Sequence, residues 1–177
     1  KFVAGSNFGK WSRQHLIDPL LYYPEKVVWR NYEASYDVAE LEPDDRSEYT
    51  YGLREYFVPV ERFDEFVPKM REIFQRNKAN IINVSIRHAK ADTNTLLSWA
   101  RSEVFAFVVY YRQGTDAEAK QAVSVWSREM IDAAIAVGGA YYLPYQLQAS
   151  KEQFLAAYPR AKDYFGLKWR LDPNNRF

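Results

Sequence analysis

The stretch YTYGLREYFV at residues 49–58 begins the part of the sequence that decides the fold. It is rich in aromatic residues and is followed by Pro59, which lacks a backbone N–H, so it is typical of a β-strand that stops there. Apolar residues then recur at spacings of three and four over residues 63–74, which predicts an amphipathic helix. Pro68 lies inside that pattern, so we expect a kink or a later helix start near it.

Two further strands follow this helix. Residues 80–88 and 104–111 have the composition of β-strands, and a short helical turn is expected between them at residues 96–100. In the strand at residues 80–88, alternate residues form an apolar set and a polar set. The apolar set is Ile82, Val84 and Ile86, and the polar set is Asn83, Ser85 and Arg87. Because successive side chains of a strand point to opposite faces, the first set is expected in the core and the second on an open face.

A long helix and a last strand complete the pattern. Thr115 and Glu118 match a capping box, and the apolar stripe that follows is expected to end at Gly138-Gly139. Residues 140–145 read as a fourth strand, and Ser150 opens another helix with a second capping box. The order is therefore β-α-β, β-α-β.

This order predicts an α+β fold of the ferredoxin-like, split βαβ type, with an antiparallel sheet and helices on one face. We assign residues 49–177, including C-terminal helices, to that domain and residues 1–48 to an N-terminal helical and extended segment. Within the segment, the region up to residue 24 is expected to be partly helical and residues 27–41 extended, with a loop at residues 42–47.

Composition narrows the classes of function. The 177 residues carry a net charge of +1 without a Lys/Arg cluster, which argues against nucleic-acid binding. The chain has no cysteine, so it forms no disulfide and has no thiol nucleophile, and no apolar run is long enough to span a membrane. The 14 Tyr, 11 Phe and 5 Trp can line a ligand pocket, cover an interface or fill a core, and composition does not separate these uses.

Ionisable residues give few catalytic signals by themselves. His15 and His88 are isolated and match no triad or metal-ligand spacing, so structural roles are expected for both. Arg87 is different, because a guanidinium on a rigid strand presents a fixed fork of donors to a hydroxylated or anionic substrate. An ordinary solvent-exposed arginine fits the same pattern.

The C-terminal third carries a family resemblance. The segments at residues 141–145 (YYLPY) and 158–160 (YPR), with the closing Asp-Pro-x-x-x-Phe at residues 172–177, resemble the substrate domain of FAD-linked oxidoreductases of the vanillyl-alcohol-oxidase type. Sugar-lactone, alditol and decaprenylphosphoryl-ribose oxidases belong to that superfamily. The resemblance is strongest over residues 49–177. Since the chain starts at Lys1 and stops within the closing motif, we expect an excised substrate domain without its flavin-binding half.

The resemblance implies a set of substrate-binding positions. Arg87 matches the arginine of a Glu-x-Arg that contacts substrate in sugar-lactone and alditol oxidases, and Ser85 stands in place of the glutamate. Glu55 lies on the strand that supplies a polar active-site side chain in the decaprenylphosphoryl-ribose oxidases. A salt-bridged edge carboxylate is the alternative reading of Glu55.

Two tyrosines stand where relatives carry other residues. Tyr110, with Val108, falls on the strand that holds His and Thr in lactone oxidases, and Tyr145 occupies the place of an active-site Lys. Both tyrosines can form hydrogen bonds with substrate, but Tyr145 brings no positive charge to stabilise charge near the flavin. No catalytic residue is assigned.

By resemblance, the complete enzyme would remove a hydride from a carbon bearing a hydroxyl, using FAD bound mainly by the missing half. The implied partners are a small hydroxylated substrate, the parent's FAD-binding domain in cis and a second copy of the chain, and a cytoplasmic or peripherally membrane-associated location is favoured. The isolated fragment is expected to be inactive. A stand-alone ferredoxin-like module that binds a ligand or a protein, without redox chemistry, is the alternative.

Overall fold

The computed structural model describes residues 6–23, 27, 29 and 45–177. The chain divides into two units, and residues 45–177 form the larger one. Apart from Val27 and Trp29, the segment that was expected to be extended lies outside the described residues, and the loop expected at residues 42–47 is described only from residue 45. No helix in the described ranges is both long and apolar enough to cross a membrane.

The smaller unit contains a short helical stretch. Helix α1 (Asn7–Ser12) is capped by the hydroxyl of Ser6, a π-helical turn follows at Arg13–Ile17, and α2 covers Asp18–Tyr22. The helical backbone continues through Pro19, which lies in the first turn of α2 directly after the π-helical turn.

The larger unit is built on a four-stranded antiparallel sheet in the order β2-β3-β1-β4. Its strands are β1 (Tyr49–Pro59), β2 (Ile81–Ala89), β3 (Val104–Gly114) and β4 (Ala140–Tyr141). Helix α3 connects β1 to β2, and helix α4 connects β3 to β4. The predicted α+β fold of ferredoxin-like type is thereby confirmed.

Helices α3 (Phe63–Arg76) and α4 (Ala117–Ala136) pack on one face of this sheet. The largest side chains of that core are almost fully buried: Tyr56, Val58, Phe107, Val109 and Tyr111 from the strands, and Phe66, Ile73, Trp126 and Met130 from the helices. Helix α3 begins five residues before Pro68, so the alternative of a later start is wrong.

A bulge in β2 changes which of its residues face the core. The register with β3 shifts between Ile81 and Asn83, so Ile81, rather than the predicted Ile82, packs against the core together with Val84. Ile86 is 48% exposed because β2 is an edge strand that the helices cover only in part. The period-2 pattern alone does not reveal an inserted residue.

Helix α4 starts one residue later than the predicted capping box. The Asp116 carboxylate accepts the first-turn N–H at 2.8 Å, whereas the hydroxyl of Thr115 donates to the carbonyl of Ser47. The second predicted box is confirmed: Ser150 and Gln153 cap α5 (Lys151–Ala157) reciprocally.

The fourth strand is shorter than residues 140–145. After β4, the N–H of Tyr142 still donates to the carbonyl of Glu55 at 3.0 Å. Pro144 has no N–H to continue the ladder, so the loop that follows leaves the sheet. Residues 90–103 form turns rather than the expected short helix.

The face opposite α3 and α4 is covered at one end. Trp99 stacks on Phe57 with ring centroids 4.2 Å apart, and Ala106 is buried in the same second cluster. At the β4 edge, Arg101 donates to the main-chain carbonyls of Ala157 and Gly138, joining the ends of α5 and α4. Within residues 45–177, the rest of this face has no comparable cover, and we call it the open face.

The closing motif forms a compact turn after α6 (Ala161–Leu171). The Asp172 carboxylate accepts hydrogen bonds from Lys168 Nζ at 2.7 Å and from the backbone N–H groups of Arg176 and Phe177 at 2.8 and 3.1 Å. The Asp-Pro-x-x-x-Phe run is thus organised around the Asp172 carboxylate, and Lys168 Nζ also donates to the carbonyl of Phe177 at 2.6 Å.

These bonds make the turn sensitive to pH. The bond from Lys168, followed by the backbone N–H groups, lowers the pKa of Asp172 to about 2. A lowered pKa stabilises the fold above the pKa of the unfolded state, near 3.9, and this contribution disappears as the pH falls through about 2. We expect Asp172→Asn to destabilise the chain to urea at pH 7 and by less near pH 3. Asp163→Asn, an exposed change on α6, is the control; equal losses for the two variants at pH 7 would contradict the role of Asp172.

The junction of α4 and β1 leaves no room for a side chain at Gly139. Gly138 ends α4 with a φ of +77°, and a Cβ built on Gly139 would lie 2.2 Å from the carbonyl oxygen of Phe57 and 2.8 Å from that of Ala134. Both neighbours are backbone atoms, which cannot move aside cheaply.

We therefore expect Gly139→Ala to lower the free energy of unfolding by about 2–3 kcal/mol. Gly166→Ala is the matched control, since nothing lies within 4 Å of its Cβ position in α6. That variant should gain about 0.5–1 kcal/mol because alanine favours a helix interior. Urea unfolding of the chain measures both, and a Gly139→Ala variant as stable as the parent would refute the backbone contact.

Candidate functional site

The open face brings together the polar residues that the sequence singles out. Across the three long strands, Glu55 of β1 is opposite Val108 of β3, and Val108 is opposite Ser85 of β2. Arg87 is one row away, opposite Ala106. Residues directly paired across antiparallel strands share a face, so these side chains lie on the same side of the sheet.

Small residues form the floor between the two charges. Ala106 and Val108 of the central strand are 4% and 9% exposed, and they separate Glu55 on β1 from Arg87 on β2. In the part of the chain that the structure describes, the Glu55 carboxylate and the Arg87 guanidinium do not come within ion-pair distance of each other. Both charged groups can therefore turn toward a ligand above the floor.

The electrostatics of the site tie its groups together. Burial raises the pKa of Glu55, and the nearby positive charge of Arg87 acts in the opposite direction. Burial also raises the pKa of Tyr145; the negative charge of Glu55 adds to this, while Arg87 opposes it. A carboxylate, a guanidinium and a phenol thus lie within electrostatic reach of one another.

Aromatic side chains border the site at both ends. Toward the β4 edge, the rings of Tyr142 and Tyr145 meet edge to face with centroids 4.8 Å apart, and Tyr142 also contacts Phe57. At the other end, Tyr110 stacks on Tyr51 at 5.3 Å.

Beyond Tyr51, the aromatic contacts continue along β1, away from Glu55 and Arg87. Tyr51 contacts Tyr49 edge to face, and the Arg112 guanidinium lies 3.9 Å above the Tyr49 ring. Sequence reasoning missed Tyr51 and Tyr142. The parity that Tyr51 shares with Glu55 was the available signal for the former.

Ser85 already has a hydrogen-bond partner on its own strand. Its hydroxyl accepts a hydrogen bond from Asn83 Nδ2 at 3.1 Å on the same face of β2. The histidines lie elsewhere: His88 pairs with Glu103 at 2.6 Å on the surface, and His15 bonds to the carbonyl of Trp11. Within the described ranges, no group of three or more His, Cys, Asp or Glu side chains could hold a metal ion.

A second arginine was overlooked in the sequence. Arg54 has the parity of Tyr56 and Val58, so its guanidinium points to the helix-covered side of β1, where it is only 6% exposed. A charged residue at core parity in a strand was the signal, because such a group needs internal partners.

Comparison with known proteins does not name a family for this arrangement. No protein-family model matches the chain, and no curated protein is significantly similar to it.

Coupling between Glu55 and Arg87 can be tested by titration. We expect Arg87→Met to raise the pKa of Glu55 further, because it removes the charge that opposes the effect of burial. Arg112→Met is the control: it lies on the same face but four residues along β3 from Val108, about 13 Å away. NMR titration of the side-chain carboxyl carbon measures the Glu55 pKa in both variants. An unchanged Glu55 pKa in Arg87→Met would refute the coupling.

The raised pKa also fixes the sign of the effect on stability. A carboxyl with a raised pKa favours the fold at low pH, and this contribution is lost as the pH rises through the folded pKa. Glu55→Gln should therefore become more stable relative to the parent as the pH rises above about 4.5.

Proposed function

We propose that this chain is the substrate-binding domain of an FAD-dependent oxidoreductase that oxidises a hydroxyl-bearing substrate of the sugar, sugar-lactone or polyol type. The observation that carries the proposal is the position of Glu55, Arg87 and Tyr145 around the small-residue floor of the open face. Polar groups of three kinds, on two rigid strands and one anchored loop, suit a ligand with several hydroxyls.

Each group has a distinct part in binding. The Glu55 carboxylate accepts hydrogen bonds from two neighbouring hydroxyls, and the Arg87 fork donates to a hydroxyl, carbonyl or phosphate oxygen. The Tyr145 phenol donates or accepts according to the substrate. Glu55 and Arg87 have opposite charges, and neither forms an ion pair among the described residues. A neutral sugar can therefore engage both without leaving a net charge.

The aromatic borders favour a ring-shaped, partly apolar ligand. Tyr110, stacked on Tyr51, and Tyr142, packed on Phe57, present rings at the two ends of the floor. Such rings can cover the apolar faces of a sugar and keep water from the polar contacts, which strengthens those contacts.

The flavin would be held mainly by residues other than these. Among the described residues, no glycine-rich phosphate loop follows a strand, so the cofactor's diphosphate has no cradle here. The open face fits one wall of a flavin pocket, with Tyr145 as the residue nearest the cofactor. When bound, the flavin would supply the redox chemistry by accepting a hydride from the substrate carbon.

The test uses the whole protein expressed from its complete reading frame. Oxidised-flavin absorption bands that are bleached anaerobically by a sugar lactone or polyol would support the proposal. Arg87→Met should lower kcat/KM about 10- to 100-fold, chiefly through KM, because a charged hydrogen bond to substrate is lost. Arg71→Met, an exposed change on α3, should leave kcat/KM unaltered.

Two outcomes would count against this reading. A folded, colourless protein that cannot be loaded with FAD would overturn the proposal and favour a binding module without redox chemistry. A flavoprotein whose Arg87→Met variant turns over like the parent would overturn the role of Arg87 alone.

A further inference from the structure

The helix-covered side of β1 contains a positive charge without a negative partner. Arg54 donates through its two terminal nitrogens to the main-chain carbonyl and the side-chain oxygen of Gln146, at 2.8 and 2.9 Å. Both acceptors are neutral. The phenol of Tyr111, another neutral group, also interacts with the Arg54 guanidinium. No carboxylate in the described ranges forms an ion pair with Arg54, and its Nε–H makes no hydrogen bond of good geometry.

Two hydroxyls beside this charge have no well-formed hydrogen bond. Tyr56 Oη on β1 and Ser127 Oγ on α4 are buried, and they interact with each other without reaching hydrogen-bond geometry. Tyr56 is 1% exposed and Ser127 is fully buried. The charge of Arg54 acts on Tyr56, where it opposes the rise in pKa that burial causes.

All three residues line one small cavity. It lies between β1, α4 and the loop after β4, and its volume is about 20 Å³. That is slightly more than one water needs, and much less than a phosphate or a sugar needs. The walls include Ile131, Tyr141 and Gln148 as well as Gln146. Glu55 also contributes to the lining, but its side chain belongs to the opposite face of β1.

We propose that this cavity is a binding site for a single small monovalent anion of chloride size. One N–H and two O–H groups can all donate to the same anion, and its charge balances the guanidinium. A cation is repelled by Arg54. A water molecule would satisfy the hydrogen bonds but would leave the buried charge uncompensated, which is costly in a protein interior.

The site has a structural consequence for the open face. Gln146, which Arg54 holds, follows Tyr145 directly, and Gln148 accepts a bond from Arg128 at 2.7 Å. An anion that fixes the Arg54 side chain therefore also fixes the loop that carries Tyr142 and Tyr145. This inference does not depend on the proposed function.

Halide-dependent unfolding of the chain tests the site. At constant ionic strength, replacing sodium gluconate with sodium chloride or bromide should raise the thermal midpoint saturably, by about 3–5 °C at a ten-fold excess over Kd. Arg54→Met should abolish this shift and Ser127→Ala should reduce it. Arg71→Met, which removes an exposed arginine from α3, should keep it.

Diffraction from crystals of the parent chain grown in sodium bromide tests the location without any variant. An anomalous bromide peak within hydrogen-bond reach of Arg54 Nε, Tyr56 Oη and Ser127 Oγ is the expected result. A water at that position with no bromide signal, or a midpoint that does not distinguish chloride from gluconate, would overturn the proposal. An equal halide shift in Arg54→Met would do the same.

Discussion

The register of the central strand β3 is the constraint on which the rest of the molecule depends. β3 pairs with β1 from Val104 to Gly114 and with β2 over most of the same length. Because its residues alternate between large, mostly aromatic side chains toward the helices and small ones at Ala106 and Val108, one strand fills the core and leaves a shallow floor on the other face. A slip by one residue would exchange these two surfaces.

Local patterns in the sequence predicted the element order and the two faces of the sheet, since both follow from periodicity. They did not predict features that depend on distant residues. Thr115 is a good cap by sequence, but its hydroxyl bonds to Ser47, so Asp116 caps α4 instead. The bulge at Ile82 depends on the pairing of β2 with β3. Phe57 is covered because Trp99, more than forty residues later in the chain, stacks on its ring. None of these partners can be read from a short window of sequence.

The candidate site was foreseen in part for a similar reason. Alternation along β2 placed Arg87 on the open face, and family resemblance added Glu55 and Tyr145, but only the strand order brings them over one floor. Resemblance gave residue types, not distances. Tyr51 and Tyr142 went unrecognised because Tyr and Phe occur throughout this chain, and composition does not tell a pocket wall from a core.

Arg54 and Glu55 are neighbours in sequence that serve opposite faces, and the loop after β4 contacts both. Tyr142 donates to the Glu55 carbonyl, and Gln146 accepts from the Arg54 guanidinium. The loop is thus anchored at two adjacent residues of a rigid strand. Any change in the buried charge reaches the open face through this short connection, because moving Gln146 also moves the residue before it. The core and the site are therefore coupled mechanically, and the coupling runs through one strand and one loop.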